Sequence, residues 1–475
     1  MSTVLAPAAP RRIRLPPLGR RRSGVLFFHE LRALLMIAGP IVVSQLGQIG
    51  MNTTDTVMVG PLGAVALAGV GLGSSLHMAV LVVFSGTVLG MGPLVSQAFG
   101  AGDREACRRT LVQGLWLALA LSVPMAWITL EGHALALALG QEAAVAALVG
   151  EYMAALAWGV PPVLLFMALR QYLEGMGRTT PPMVITLVGL AVNVAANYAF
   201  IHGVEGWIPA LGAVGSGWAT TLVRWVMLAA MLGYLLLVPE LHPFRGVRWR
   251  PRARELRTMV GIGAPIGAQL GFEVSLFSLA AVMMGWFGAL ELGAHQVTIN
   301  IAATTFMVGL GTSLAGSIRV GHHVGAGRRR GAHRAALGTY TLVVGFMGLC
   351  ALLFLSVPEA LVGLYTRDPE IIRLGSSLLL MAALFQVFDG GQVAGLCSLR
   401  GAADTRVPML VTLLGYWLVG IPAAYLLGFH TPLGPVGVWL GLCVALAVVA
   451  VLLAIRVRQV LWRHPAAAVV SRQAA

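Results

Sequence analysis

FGAGDREACRR, at residues 99–109, returns 225 residues later as VGAGRRRGAHR at residues 324–334. At the same spacing, the pair Gly86-Thr87 returns as Gly311-Thr312. Matches that keep one spacing over long stretches are the signature of an internal repeat. The sequence therefore predicts two halves of similar fold, each somewhat longer than 200 residues.

The chain around these repeats is too apolar for a soluble protein. Of its 475 residues, 58% are hydrophobic and 11% are charged, and the mean hydropathy is +0.84. Soluble domains carry about 25% charged residues. A helix of about 20 apolar residues crosses a hydrocarbon layer of about 30 Å, so each sufficiently long apolar run is a potential membrane span. The predicted spans are 33–57, 66–92, 110–131, 147–169, 181–202, 213–238, 258–284, 292–318, 336–356, 372–397, 408–429 and 435–457.

The basic residues indicate how these spans are oriented. The net charge is +14, and all 32 basic residues are arginines, so a Walker A motif, which requires lysine, is excluded. The arginines lie in short gaps between alternate spans, which is the pattern of cytoplasmic loops and not of a nucleic-acid-binding face. We therefore expect a multi-pass protein of the bacterial cytoplasmic (inner) membrane with both termini in the cytoplasm. The arginine clusters lie at 11–22, 104–109, 170–178, 245–257, 328–334, 400–406 and 456–463.

The predicted fold class is all-α integral membrane, with twelve transmembrane helices in two pseudo-symmetric six-helix lobes. Six is an even number, so both lobes begin on the same side, and the axis that relates them runs along the membrane normal. We call the two lobes the N-half and the C-half. The predicted boundaries are a basic tail at 1–29, the N-half at 30–238, a cytoplasmic linker at 239–257, the C-half at 258–463 and a second tail at 464–475.

Three acidic residues lie within long apolar segments: Asp55, Glu273 and Asp389. A charge inside a membrane is costly, so such residues are candidates for ion or substrate binding. A carboxyl group that can be protonated or charged suits the exchange of a proton or a sodium ion. The alternative is ordinary hydrogen bonding between helices, worth about 0.6 kcal/mol per contact.

Polar and aromatic neighbours extend these three positions into candidate binding surfaces. The amides of the first span share one helical stripe with Asp55, and two asparagines of the fifth span share a face. The remaining candidates lie within one turn of Glu273 or Asp389. The predicted substrate-binding residues are Gln45, Gln48, Asn52, Asn193, Asn197, Gln269, Phe272 and Gln386. Arg224 lies inside the sixth span, where it either extends to the interface or pairs with an acid.

No sequence motif indicates catalysis or a resident cofactor. Cys107, Cys350, Cys397 and Cys443 are dispersed among apolar residues and predict packing positions, not a disulfide framework or zinc site. We therefore expect no enzyme activity and no cofactor. Sodium at Glu273 and Asp389 is the one metal ion that the sequence leaves open.

Several motifs in chain order resemble the multidrug and toxic compound extrusion (MATE) family, in its bacterial NorM-type branch. The resemblance runs from about residue 30 to about residue 463. The motifs are NTTDTVMVG (52–60), PLVSQAFGAGD (93–103), LRQYLEGMGRTTPPMV (169–184), GAVGSGWAT (212–220), GFEVSLF (271–277), AHQVTIN (294–300), SIRVGHHVGAG (317–327), FQVFDGGQ (385–392) and SLRGAADT (398–405).

This resemblance implies a two-lobed exporter of cationic, aromatic drugs, driven by entry of sodium ions or protons. It implies coupling roles for Glu273, Asp389 and Asp55. The lipid bilayer is the other expected partner. No nucleic-acid partner is expected, and the protein is expected to act as a monomer. Phe385 departs from the pattern, because some relatives carry a hydroxyl there, and this difference favours protons over sodium. Arg224 is a second departure.

Other functions share parts of this pattern. A flippase for lipid-linked saccharides would have the same architecture, but it should line its cavity with several cations to bind a pyrophosphate. A channel or receptor would not require buried acids in both lobes. A membrane-embedded enzyme would require a convergent catalytic group.

Overall fold

The structure, a computed structural model, describes residues 20–204, 207, 209–241 and 246–463. These residues form seventeen α-helices, with a π-helical segment at Leu414–Gly420 between the fifteenth and the sixteenth. The helices are α1 (Arg20–Val59), α2 (Ala64–Leu89), α3 (Met91–Gly100), α4 (Arg104–Leu130), α5 (Gly132–Ala138), α6 (Ala143–Ala157), α7 (Val160–Gly175), α8 (Thr180–His202), α9 (Ala213–Leu237), α10 (Ala253–Phe287), α11 (Ala289–Gly325), α12 (Arg329–Ser356), α13 (Pro358–Gly363), α14 (Pro369–Gly401), α15 (Arg406–Leu413), α16 (Ile421–Phe429) and α17 (Pro435–Arg458).

The predicted span count is confirmed. Within the described residues, 11 helical stretches are long and apolar enough to cross a membrane, and the bent pair α6–α7 makes up to 12. The bend of 46° follows Trp158, and α7 begins with prolines within its first turns. A proline ring disfavours helical geometry in the residue before it, which explains a break here.

The first helix begins earlier than the sequence suggested. We predicted a basic tail up to residue 29, whereas α1 already starts at Arg20. Residues 1–19 and 464–475 of the two predicted tails lie outside the described residues, as do residues 242–245 of the predicted linker.

Corresponding turns in the two halves repeat the same backbone geometry. Gly102 and Gly327, which correspond in the repeat, have φ angles of 79° and 66°. Gly177 corresponds to Ala403, and their φ angles are 78° and 58°. Left-handed φ values favour glycine, so Ala403 adopts a conformation that is strained for a residue with a Cβ atom. The turn therefore keeps its shape in the C-half without the residue that best suits it.

The two halves touch along a seam of glycines. Helix α2 packs against α10, and α1 and α3 pack against α11. A Cβ atom on Gly86 would lie 2.4 Å from the Cα atom of Gly267, and one on Gly90 would lie 2.5 Å from that of Gly263. The backbones of α2 and α10 are therefore in direct contact at these four positions, which we call the glycine seam.

Hydrogen bonds join the halves at the end of the bundle that carries the arginine-rich loops. Gln97 of α3 donates from Nε2 to the carbonyl oxygen of Gly401 at 2.9 Å. His322 of α11 lies with Nε2 2.8 Å from the carbonyl oxygen of Gly175 and donates to it. The halves are thus held together at this end.

A buried carboxylate adds to this junction. The side chain of Glu30 on α1 is buried against α11. It accepts hydrogen bonds from Nε and Nη2 of Arg319 at 2.7 and 2.8 Å. His323 lies 3.1 Å from the same carboxylate. A two-pronged arginine–carboxylate pair fixes the orientation of its partners, so Glu30 also fixes how α1 sits on α11.

Filling the glycine seam should destabilise the closed junction. In Gly263→Val the new Cβ atom would lie 1.9 Å from the carbonyl oxygen of Thr87, so the backbones must separate. We expect a loss of about 1–3 kcal/mol in unfolding free energy, seen as a lower thermal midpoint in detergent. Gly261→Val is the matched control, because the nearest atom to its Cβ is 3.8 Å away on the end of the Arg406 side chain. Equal thermal midpoints for the two variants would contradict the direct backbone contact between α2 and α10 at the glycine seam.

Candidate ion and substrate sites

The N-half site is built around Asp55 of α1. Its Oδ1 atom accepts hydrogen bonds from the Nδ2 atoms of Asn193 at 3.0 Å and Asn197 at 2.7 Å. Its Oδ2 atom accepts one from the hydroxyl of Thr220 at 3.0 Å. Three helices, α1, α8 and α9, therefore meet at this one carboxyl group.

The two asparagines can lie side by side because they are four residues apart on α8. Both are fully buried, and within the described residues their Oδ1 atoms have no hydrogen-bond partner. Hard cations prefer oxygen ligands. The Asp55 carboxylate, the hydroxyl of Thr220 and the free amide oxygens are therefore a set that suits a small cation.

A cavity opens beside this site, and we call it the N-half cavity. Asp55 and Thr220 line one part of it, and His77, Tyr152 and Arg224 line another. Asn52, Thr56, Ser74 and Met78 also line it and are exposed. The cavity is therefore accessible from outside the N-half, and it has both an acidic and a basic side chain on its wall.

The predicted polar stripe of α1 does not all reach this cavity. Asn52 lines it, but Gln45 accepts a hydrogen bond from Nη2 of Arg170 at 3.2 Å. Arg170 is also paired with Glu174 at 2.6 Å, and both side chains are buried. Gln45 thus contacts the buried ion pair of Arg170 and Glu174 near the arginine-rich end and not the cavity. Gln48 lies between the two regions on α1.

The C-half site contains the two other predicted acids. Asp389 of α14 is 3% exposed, and its Oδ1 atom accepts a hydrogen bond from Nε2 of Gln392 at 3.2 Å. The oxygen of Gln392 in turn accepts one from the hydroxyl of Tyr416 at 2.5 Å. Tyr416 lies in the π-helical segment, and such segments are frequent at functional sites.

Glu273 of α10 faces the same region. Its charge interacts with that of Asp389 and with that of Arg400. Within the described residues neither carboxyl has a basic side chain within 4.0 Å. Two carboxyl groups of the C-half are thus without a direct ion pair, although the charge of Arg400 still acts on Glu273. Such carboxyl groups retain a proton or attract a cation.

The remaining predicted residues surround these carboxyl groups. Gln269 is buried one turn from Glu273 and accepts a hydrogen bond from Nη2 of Arg400 at 3.4 Å. Phe272 packs against the C-half core. Gln386 donates to the hydroxyl of Thr305 and reaches the carbonyl oxygen of Ala302.

Phe385 lies one turn before Asp389 on α14 and has no oxygen atom in its side chain. Its ring makes edge contacts with Phe277 and Trp439, with centroids 5.9 and 5.8 Å apart. The site next to Asp389 is therefore walled by aromatic rings on this side.

Sequence reasoning missed Thr220, Tyr416 and Arg400 as parts of these sites. Thr220 and Tyr416 each stand in an apolar segment with no acid nearby in sequence, so only the packing of helices reveals their role. Arg400 was assigned to a loop cluster, yet it is buried at the end of α14. One available signal was the internal repeat, in which SLRGAADT corresponds to residues 172–179 and Arg400 therefore corresponds to Glu174.

The described residues contain no group of three or more histidine, cysteine, aspartate or glutamate side chains that could hold a metal ion. The four cysteines are buried and unpaired. Any cation at these sites would therefore be held by one or two carboxylates together with amide and hydroxyl oxygens.

Up to twelve spans in two repeated lobes, with carboxyl groups inside the spans of each lobe, define a polytopic membrane protein of the secondary-transporter type. Sequence comparison gives the family, because the MatE profile matches residues 40–199 and 265–426. The chain therefore belongs to the MatE family.

Relatives match over almost their entire length. A probable multidrug resistance protein NorM of Mesorhizobium japonicum is 39% identical over 92% of this chain and 96% of its own. A multidrug resistance protein MdtK of Edwardsiella ictaluri is 36% identical over 94% of this chain and 99% of its own. The predicted resemblance to the NorM-type branch is thereby confirmed.

Solved structures confirm the fold. The eukaryotic MATE transporter AtDTX14 superposes with a TM-score of 0.82 at 20% identity, over 91% of this chain and 96% of that one. A multidrug resistance MATE transporter in an outward-facing conformation gives the same TM-score at 20% identity, over 91% of this chain and 96% of that chain. At this identity the likeness concerns the fold alone.

Proposed function

We propose that this chain is a secondary multidrug exporter that exchanges cationic or aromatic drugs for protons or sodium ions by alternating access. The observation that carries the proposal is the pair Glu273 and Asp389, two carboxyl groups inside one membrane-embedded half with no basic group within 4.0 Å among the described residues. The names of the relatives, multidrug resistance proteins NorM and MdtK, support the same substrate class.

The mechanism rests on competition for carboxyl groups. A cation that enters from outside neutralises Glu273 and Asp389, and this lowers the affinity of the protein for a cationic drug. A ligand shifts a conformational equilibrium only by its difference in affinity for the two states. We infer that neutralised carboxyl groups favour the drug-releasing state and that drug binding from the cytoplasm favours the opposite one.

The contacts between the halves support this cycle. Glu30 with Arg319, and Gln97 with Gly401, close the arginine-rich end. We propose that this end faces the cytoplasm in the bacterial inner membrane, with both termini on that side, and that the monomer is the working unit. Opening of the cytoplasmic side then requires these contacts to break.

The alternative functions receive less support. A saccharide-lipid flippase needs a cavity rich in cations, whereas the two sites here are built on Asp55, Glu273 and Asp389, with Arg224 as the basic residue on the N-half cavity wall. No enzyme activity is proposed for this chain.

The coupling ion can be named by experiment. We expect a proton gradient, and not a sodium gradient, to drive ethidium efflux from proteoliposomes. At Asp389 the oxygen of Gln392 is already bonded to the hydroxyl of Tyr416, and Phe385 supplies no oxygen. A sodium ion needs several oxygen ligands and gains none from Phe385, whereas a proton needs only the carboxyl group. The measurement is the initial efflux rate with each gradient imposed separately.

An ionophore that dissipates only the proton gradient is the control for this measurement. Efflux that persists in the presence of the ionophore and follows a sodium gradient would contradict coupling to protons. It would still agree with the proposed export function. Absence of efflux under either gradient, from folded protein, would contradict the exporter itself.

A further inference from the structure

Arg224 is a cation inside the N-half that forms no direct ion pair among the described residues. It lies eleven residues after the start of α9, or about 16 Å along the helix axis. Among the described residues no carboxylate lies within 4.0 Å of its guanidinium group. A charge held at this depth without a direct ion pair is costly, and such a residue is a candidate for a binding site.

The hydrogen bonds of Arg224 leave donors without acceptors. Its Nη2 atom lies 3.1 Å from Nε2 of His77 on α2. A guanidinium group only donates, so Nε2 of His77 accepts, and the ring proton of a neutral His77 is on Nδ1. Nδ1 of His77 and Nη1 of Arg224 are both buried with no partner in the described part of the chain. Buried N–H groups without acceptors are unfavourable, so an acceptor would stabilise this pair.

Arg224 lies at the bend between α6 and α7. A Cβ atom on Gly159, the residue that precedes α7, would lie 3.1 Å from Nη1 of Arg224. The C-terminal end of α6 and the N-terminal end of α7 meet here, so their opposite partial charges offset each other. The positive charge of this region is therefore that of Arg224 itself, and the acid on the cavity wall is hydrogen-bonded elsewhere.

That acid is Asp55, which lines the same cavity but directs its two oxygens to Asn193, Asn197 and Thr220. The N-half cavity thus has a negative region at Asp55 and a positive region at Arg224 and His77. Tyr152, which is buried, also lines the cavity and supplies an aromatic ring.

We propose that Arg224 and His77 form an anion-binding subsite for the carboxylate of zwitterionic aromatic substrates, whose cationic group faces Asp55. This inference rests on the proposed export function and names a substrate class for the N-half cavity. The competing explanation is that Arg224 only offsets the charge of Asp55. In that case an added carboxylate on a substrate would bring no advantage.

Two dyes that differ in one group separate these explanations. Rhodamine B has a cationic xanthene and a free carboxylate, and rhodamine B ethyl ester has the same cation with the carboxylate blocked. Binding to the purified full-length protein is measured by fluorescence anisotropy without any ion gradient. We expect the wild-type protein to bind rhodamine B at least as tightly as the ester.

Substitution of Arg224 should change the preference between the dyes. In Arg224→Gln we expect the affinity for rhodamine B to fall about tenfold more than that for the ester, the loss expected when a charged hydrogen bond is removed. Arg224→Lys keeps the charge and should recover most of the preference. His77→Ala removes the second hydrogen-bond donor and, like Arg224→Gln, should reduce the preference for rhodamine B over the ester.

The outcomes separate failure of the subsite from failure of the exporter. Equal losses for both dyes in Arg224→Gln, or a wild-type protein that binds the ester tenfold more tightly than rhodamine B, would overturn the subsite. The wild-type comparison holds even if the variants do not fold. Failure of folded wild-type protein to bind either dye, or to export the ester from proteoliposomes, would instead count against the exporter.

Discussion

Asp389→Asn is expected to lower gradient-driven efflux about a hundredfold, with a much smaller loss of affinity for a cationic drug in detergent, because Glu273 and Asp55 keep their carboxyl groups. The change removes the charge but keeps the shape, so the hydrogen bond with Gln392 can persist. An asparagine cannot exchange a proton, and the coupling between ion entry and drug release is lost. The measurement pairs initial ethidium efflux from proteoliposomes with dye anisotropy on the same preparation.

The matched control is Glu370→Gln on the same helix. Glu370 is exposed in the first turn of α14, so the variant loses one carboxyl charge away from the site. It should transport like the wild-type protein. An Asp389→Asn protein that folds and keeps wild-type efflux would remove the basis for the coupling mechanism.

Asp55→Asn is expected to act on binding instead. The affinity for a cationic dye should fall about tenfold or more, because a charged partner is lost while the cavity keeps its shape. Oδ1 of the new asparagine can still accept from Asn193 and Asn197, so helix packing should survive. Equilibrium dye binding and the thermal midpoint, measured together, separate the loss of charge from a loss of fold.

Thr220→Val is the companion variant for this site. It removes one hydrogen bond to Asp55 and leaves the charge in place. Its effect on dye affinity should be smaller than that of Asp55→Asn. If both variants weaken binding equally, or if Asp55→Asn leaves binding unchanged, the carboxylate charge is not what holds the substrate.

The fold could be predicted closely, because its determinants are carried by single segments. Apolar length fixes each span, and the paired turns near Gly102 and Gly327 reveal the duplication. The bend between α6 and α7 was not foreseen, although the prolines that follow Gly159 are visible in the sequence. The early start of α1 was missed because a basic segment resembles a tail as much as it resembles a helix end.

The sites could be predicted only in part. Asp55, Glu273 and Asp389 stand out because a carboxyl group in an apolar segment is costly wherever the segment packs. The partners of these acids are ordinary residues such as Thr220 and Tyr416. Their role depends on which helices meet, and a single sequence does not contain that information. Gln45 illustrates the opposite error, since a shared helical stripe did not place it in the cavity.

The glycine seam between α2 and α10 has a consequence for turnover. Helix backbone satisfies its own hydrogen bonds, and glycine presents almost no hydrocarbon side chain. When Gly86 and Gly90 separate from Gly267 and Gly263, little apolar surface becomes hydrated, and the cost of about 25 cal/mol per Å² applies to a small area. At these four positions the two helices can therefore separate at a low cost in free energy and come together again without repacking side chains. We therefore expect the hydrogen bonds of Glu30 and Gln97, more than the seam itself, to set how often the exporter opens.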